Sequence, residues 1–291
     1  MSAQNASGPL AIIALATTQV APMLDCWLNW MRPMMLSANH RSYQLHLETY
    51  SQHEYKGAGS FRDGAFLHAA REKVGLIRRY VCANQGSTIL WTDLDIMPLR
   101  PCASARAPDT RQPTVARHEP LCARRARRYA ELVLPEGVDL LAQADYKRDK
   151  LNCGFMLMRG TSNLCAVLSA WNHSMYALGT QPSRDDQYLL NAILRKNFKG
   201  AKIIWDTDTI PEIRWDTFPL DVVTNNGERI SAATVAFHAS GMTTQAAKAK
   251  RLAGALNRSA ALRERGDVAT AAALEGLQAA CDMGRVRGVS A

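Results

Sequence analysis

The run Gly86-Ser-Thr-Ile-Leu-Trp-Thr-Asp93-Leu-Asp95-Ile-Met-Pro-Leu constrains the fold more than any other stretch of the chain. A turn glycine leads into Thr88–Trp91, where polar residues do not alternate with apolar ones, so both faces of the strand must be covered. Leu10–Ala16, Tyr43–Leu47, Gly154–Met158, Ala201–Trp205 and Thr234–Phe237 are further apolar runs that read as buried strands. Helical patterns lie between these runs. Phe66–Cys82 places apolar residues at 66, 67, 70, 74, 77 and 81, and Leu164–Tyr176 and Gln187–Lys196 read likewise. Strands alternating with helices predict an α/β domain with a mostly parallel sheet. The chain has 291 residues, 47% hydrophobic and 21% charged, which suits one large domain or a domain with an appendage. Collagen, coiled coil and wholesale disorder are excluded by the same composition.

The apolar strand ends abruptly in Asp93-Leu-Asp95. Residues i and i+2 of an extended segment point the same way, so two carboxylates meet at the carboxyl end of a strand, where α/β sheets hold ligands. Unpaired, they repel each other and resist desolvation; a divalent cation resolves the conflict, and oxygen ligands suit Mg²⁺ or Mn²⁺. The plainer alternative is a solvated turn. Asp206-Thr-Asp208, after Ile203-Ile-Trp, competes on spacing. A phosphatase loop with Thr or Val two positions beyond its second aspartate fits poorly, because Met97 stands there.

The formal net charge of +9 is unevenly spread. Residues 100–130 carry a net +6 and residues 246–291 a net +4, leaving the remainder at −1. Residues 103–130 read as a basic surface excursion. The Ala-rich tail reads as a helical pair broken at Gly266-Asp267. Seven scattered cysteines without a CxxC pair exclude a zinc ribbon and predict buried, reduced thiols, with a Cys102–Cys122 bridge as the open alternative. Leu10–Ala16 is too short to span a bilayer and lacks a leading cationic stretch, so the expectation is a soluble, cytoplasmic protein with no membrane span. A lumenal secretory-pathway domain trimmed of its anchor would read the same way.

From Lys73 through Gly86 to Asp93-Leu-Asp95-Ile-Met-Pro-Leu-Arg-Pro101, the chain resembles the DxD region of GT-A glycosyltransferases. Within that group it is most similar to the nucleotide-diphospho-sugar transferase family, which includes plant galactosyl-, arabinosyl- and xylosyltransferases (family 77). Three further segments occur in that family's order: Leu151-Asn-Cys-Gly-Phe-Met-Leu-Met-Arg, Asp185-Asp-Gln-Tyr-Leu-Leu-Asn191, and Phe218-Pro followed by Phe237-His238-Ala-Ser-Gly241. The resemblance spans roughly residues 10–245. It implies a GT-A fold, Rossmann-like, with a mostly parallel central sheet flanked by helices. Residues 1–245 would form the transferase domain and 246–291 a C-terminal helical extension.

The resemblance also implies roles. Asp95 would ligate the metal, Mn²⁺ or Mg²⁺, directly; Asp93 would reach it through water or hold the ribose; His238 would be a third ligand. Asp186 would bind donor-sugar hydroxyls and Gln187 would lie beside the reacting centre, with Asp185 able to substitute. From the residues alone, Ser183-x-x-Asp186 reads as a capping box with Ser183 as N-cap. Donor contacts are expected from Thr17 and Thr18 (base), Arg62 and Lys73 (base or phosphate), Asn152, Gly154 and Gly241, with Lys248 or Lys250 near the diphosphate. The implied reaction is metal-dependent transfer from a nucleotide sugar, a UDP-sugar, to a hydroxyl of a glycan, protein or small molecule. The Asp-Gln segment favours retention of configuration; inversion would require a carboxylate base such as Asp216 or Glu212. The alternative is a catalytically weak GT-A-like protein that binds an anionic polymer or nucleic acid through its basic segments. Tyr129 alone accompanies the first of these, which disfavours nucleic acid.

Overall fold

The structure, a computed structural model, describes residues 10–17, 24, 27–28, 43–50, 64–98, 134–145, 150–177, 185–196, 210–220, 222–230, 234, 236–240 and 245–264. In chain order the elements are β1 (Leu10–Thr17), β2 (Tyr43–Tyr50), α1 (Gly64–Ala83), β3 (Thr88–Thr92), β4 (Ile96–Pro98), β5 (Leu140–Ala144) and β6 (Leu151–Arg159). There follow α2 (Ser162–Ala177), α3 (Asp186–Leu194), β7 (Trp215–Thr217), β8 (Val223–Thr224), a 3-10 turn at Gly227–Arg229, β9 (Ala236–His238) and α4 (Gln245–Glu264).

Six strands form the main sheet in the order β2-β1-β3-β6-β5-β7. β1 pairs parallel with β2 and β3, and β5 parallel with β7, whereas β6 runs antiparallel to both its neighbours. Five strands therefore share one direction, and the expected mostly parallel α/β sheet is present. Alternate residues fill two cores, as the strand period of two requires. Ile13, Ile89, Trp91, Leu140 and Met156 pack against Val74, Ile77, Leu168 and Leu190 of the helices α1, α2 and α3. Ile12, Leu90, Leu141, Phe155 and Leu157 face the other way, onto Trp27, Ile96, Phe218, Val223 and Ala236. Among the described residues, then, helices cover one face, and the small sheet β4-β9-β8 covers much of the other.

Two local expectations are corrected. The N-cap of α3 is Asp185, whose Oδ1 accepts the Tyr188 N–H at 2.8 Å; Ser183 lies outside the described residues. Cys82 and Cys165 form a disulfide joining α1 to α2, in place of two reduced thiols. The pair is 83 residues apart in sequence, and only the packing of the helices brings the Cα atoms to 5.1 Å. Cys153 is a buried free thiol, and the remaining cysteines lie outside the described residues. No described helix is long and apolar enough to cross a membrane.

Candidate active site

The acidic pair sits where β3 ends and the chain passes into the small sheet. The Asp93 N–H donates to Gly154 O on β6 at 2.8 Å, which anchors the end of β3 to the neighbouring strand. Three residues on, β4 begins, and its register with β9 pairs Ile96 with His238. The Ala239 N–H donates to Asp95 O at 3.0 Å. Sheet pairing alone thus brings a histidine from late in the chain beside the second aspartate, and His238 Nε2 lies 3.3 Å from Asp95 Oδ1.

One ligand atom each from Asp93, Asp95 and His238 lie within 4.8 Å of one another. Carboxylate oxygens with one imidazole nitrogen are a donor set for Mn²⁺ or a similar divalent cation. The surroundings fit it too. A Cβ built on Gly154 would approach His238 Cε1 to 2.6 Å and Asp93 Oδ2 to 3.0 Å, so only glycine leaves room for this grouping. Asn152 Oδ1 accepts the Gly154 N–H at 2.8 Å and holds that turn of β6 in place.

Two lysines face the carboxylates. Lys73 of α1 lies at i+3 from Ala70 and i−4 from Ile77, on the buried stripe of its helix. Its Nζ is 3.2 Å from Asp93 Oδ1, 3.0 Å from Asp186 Oδ2 and 5.6 Å from the centroid of the Trp91 ring. Trp91 Nε1–H donates to Asp93 Oδ1 at 3.0 Å. Burial works against the Lys73 charge, but Asp186 and Asp93 outweigh it and hold the ammonium well above its ordinary pKa. Lys248 of α4 donates to Asp95 Oδ2 at 2.7 Å. Burial opposes the Asp95 charge as well, yet His238 and Lys248 pull its pKa well below the usual carboxylate range. Asp93 is pushed the other way: burial raises it, Lys73 counters, and the charge of Asp95 adds to the rise. Among the described residues, the carboxylates of Asp93, Asp95 and Asp186 meet the ammonium groups of Lys73 and Lys248 where the candidate ligand atoms converge.

Asp186 is buried at the start of α3. The Cys153 thiol donates to its Oδ2 at 3.1 Å, and its carbonyl accepts Trp171 Nε1–H at 2.9 Å. Burial would raise its pKa, but Lys73 and the Cys153 hydrogen bond lower it. Burial and the neighbouring Asp186 charge keep Cys153 a neutral thiol by raising its pKa well above the ordinary value. Gln187 Nε2 donates to Asp145 Oδ2 at 3.1 Å, beyond the end of β5.

Of the expected residues, Asp93, Asp95, Lys73, Gly154, Asn152, Asp186, His238 and Lys248 therefore gather in one region. Lys73 and Lys248 are held by carboxylates there. Asp185 caps α3. Asp216 lies on β7, where its Oδ1 accepts the Thr217 N–H, and Glu212 and Lys250 are exposed. Thr17 ends β1. Thr18, Arg62, Gly241, Asp206, Asp208, residues 103–130 with the Cys102–Cys122 pair, and residues 265–291 lie outside the described residues.

Three participants escaped the sequence reading. Gln143 approaches His238 Nδ1 to 2.8 Å through its Oε1. Arg251 donates to the carbonyls of Ser240 and Asn225 at 2.6 and 2.5 Å. Cys153 bonds Asp186. The signal for Gln143 was a single amide inside Leu-Leu-Ala-Gln-Ala; a buried polar side chain of this kind requires a partner.

No family model matches the chain, and no curated protein matches it. Among solved structures it is similar to a glycosyltransferase involved in the glycosylation of the major capsid of PBCV-1, at 9% identity and a TM-score of 0.47, covering 84% of this chain and 99% of that one. It is also similar to the bifunctional glycosyltransferase WbbM (9%, TM-score 0.41, 84% of this chain and 50% of that one). The glycosyltransferase GlyE of Streptococcus pneumoniae TIGR4 is a third (10%, TM-score 0.40, 88% and 63%).

Proposed function

We propose that the chain is a metal-dependent glycosyltransferase that moves a sugar from a nucleotide sugar, a UDP-sugar, to a hydroxyl acceptor. The observation that carries this reading is the grouping of Asp93, Asp95 and His238 within 4.8 Å at a strand end, in a space kept open by Gly154. A divalent cation held there would act as a Lewis acid on a leaving diphosphate. Asp93, Asp95 and His238 would hold it, with Mn²⁺ or Mg²⁺ as the ion. Lys73 keeps Asp186 ionised beside Asp93, so that a carboxylate is available to accept hydrogen bonds from donor-sugar hydroxyls. Gln187, one residue on at the start of the same helix, is assigned to the reacting face of the sugar, with Asp185 fixing the helix start. Lys248, beside Asp95, is assigned to the diphosphate. Transfer with retention is the proposed outcome.

The test is thermal-shift screening of the full chain with nucleoside diphosphates and UDP-sugars, with and without Mn²⁺, alongside UDP-sugar hydrolysis. A Mn²⁺-dependent shift and turnover, both lost in Asp95→Ala, are expected. Salt-sensitive binding of an anionic polymer that survives Asp95→Ala, with no turnover, would replace this reading by the binding-protein one. An anomer-resolved NMR time course decides stereochemistry: the inverted anomer appearing first removes retention.

A further inference from the structure

We propose that Gln143 is a positioning residue that fixes the tautomer of His238, so that the Nε2 lone pair faces the Asp93–Asp95 cation site. The inference rests on the metal-dependent reading above and extends it to a residue outside the ligand set.

Gln143 is completely buried near the end of β5. The pairing of β5 with β6 slips at this residue: Ala142 pairs with Met156, but Gln143 pairs with Asn152. Between these pairs lie Cys153, Gly154 and Phe155, and Gly154 O receives the Asp93 N–H from the β3 side. The missing Cβ of Gly154 leaves room that the His238 ring fills. Gln143 Oε1 sits 2.8 Å from His238 Nδ1. Its own Nε2 is buried with no partner among the described residues. A buried amide with half its hydrogen-bonding capacity unused costs stability, and an apolar side chain of similar size would pack there at lower cost. What the amide provides is an acceptor for Nδ1.

A neutral imidazole carries one N–H. If Nδ1 holds it and donates to Gln143 Oε1, Nε2 offers a lone pair towards Asp95 and the cation. Groups that accept from the far nitrogen of a ligating histidine set both its ring orientation and its basicity. The opposite amide orientation would donate to Nδ1, place the proton on Nε2 and aim an N–H at Asp95 Oδ1, which offers a metal nothing. Glutamate at position 143 could only accept; leucine could do neither.

The experiment titrates the full chain with Mn²⁺ alone, reading free Mn²⁺ by EPR, in the wild type, Gln143→Leu, Gln143→Glu and Asp95→Ala. Gln143→Leu is expected to weaken the Kd about 10- to 100-fold, and Gln143→Glu to restore it to within a few-fold. In ¹⁵N-histidine spectra of the wild type with Zn²⁺, His238 should carry its proton on Nδ1, its signals being assigned by their loss in His238→Asn. Wild-type affinity in Gln143→Leu, affinity lost in Gln143→Glu, or a proton on Nε2 would overturn the proposal while leaving the metal site standing. A wild-type chain that takes up no more Mn²⁺ than Asp95→Ala overturns both readings. Should Gln143→Leu fail to fold, the wild-type tautomer and the Gln143→Glu affinity decide.

Discussion

A Cβ added at residue 154 would sit 2.6 Å from His238 Cε1, 2.9 Å from Asn152 Oδ1 and 3.0 Å from Asp93 Oδ2. The His238 ring is held by Gln143, Asn152 Oδ1 by the Gly154 N–H, and Asp93 by Lys73 and Trp91. Gly154→Ala is therefore expected to cost about 1–3 kcal/mol by overpacking and to reduce Mn²⁺-dependent stabilisation. Thermal denaturation with and without Mn²⁺ checks both effects; an alanine variant with full Mn²⁺ stabilisation would show that His238 does not need the space. Lys73 raises a different issue, since it is paired with two carboxylates at once. Removing it leaves buried charge without a partner, so Lys73→Met should lose about 3–5 kcal/mol in urea unfolding. The double variant Lys73→Met/Asp186→Asn should lose less than the sum of its two single variants, because the second change removes the charge stranded by the first.

At the scale of elements, α4 is the least expected contributor. Its sequence reads as the start of a basic, Ala-rich extension, yet Lys248 and Arg251, three residues apart on one face, hold it against the site. Arg251 joins the chain after β8 to the chain after β9 and lies 5.8 Å from the centroid of the Phe237 ring. Arg251→Met keeps the stem but loses both carbonyl contacts. Hydrogen exchange should rise across Ala236–His238 and remain unchanged in α1 and α2; a uniform rise would mean that Arg251 serves global stability instead. The strands β1, β3 and β6 were legible because burial gives them continuous or nearly continuous apolar runs; β2, half-buried or exposed along its length, was legible through Leu45 and Leu47, which pack against the core. The strands β4, β7 and β8 have two or three residues each, and pairing partners, rather than propensity, define them; β9 overlaps the expected strand Thr234–Phe237. β5 was missed because Gln143 broke its run, and that same residue meets His238. The acidic pair could be read from strand periodicity, whereas His238 depended on resemblance, since no local pattern reveals its register opposite Ile96. The cap of α3 was misplaced by two residues because three closely spaced polar positions, Ser183, Asp185 and Asp186, all suit a helix start.

Across the whole molecule, the Cys82–Cys165 bridge ties α1 to α2 on the helical face of the sheet. Closing a loop of this length restricts the unfolded chain, and replacing both residues with alanine should lower stability by about 4 kcal/mol. Equilibrium unfolding of the double variant, beside the wild type with and without reductant, checks this; coincident curves would show that the bridge contributes nothing. The bridge was illegible in the sequence because only tertiary packing brings two ordinary helical cysteines together.

The contact between Lys248 and Asp95 spans 153 residues, and that between His238 and Gln143 spans 95. During synthesis, β3 and its two carboxylates emerge long before the histidine and the lysine that complete their surroundings. These surroundings can therefore close only after Lys248 has been made and α4 has docked. Under the metal-dependent reading, metal uptake by a nascent chain would report the docking of α4, so the ion would follow that packing and would not nucleate it.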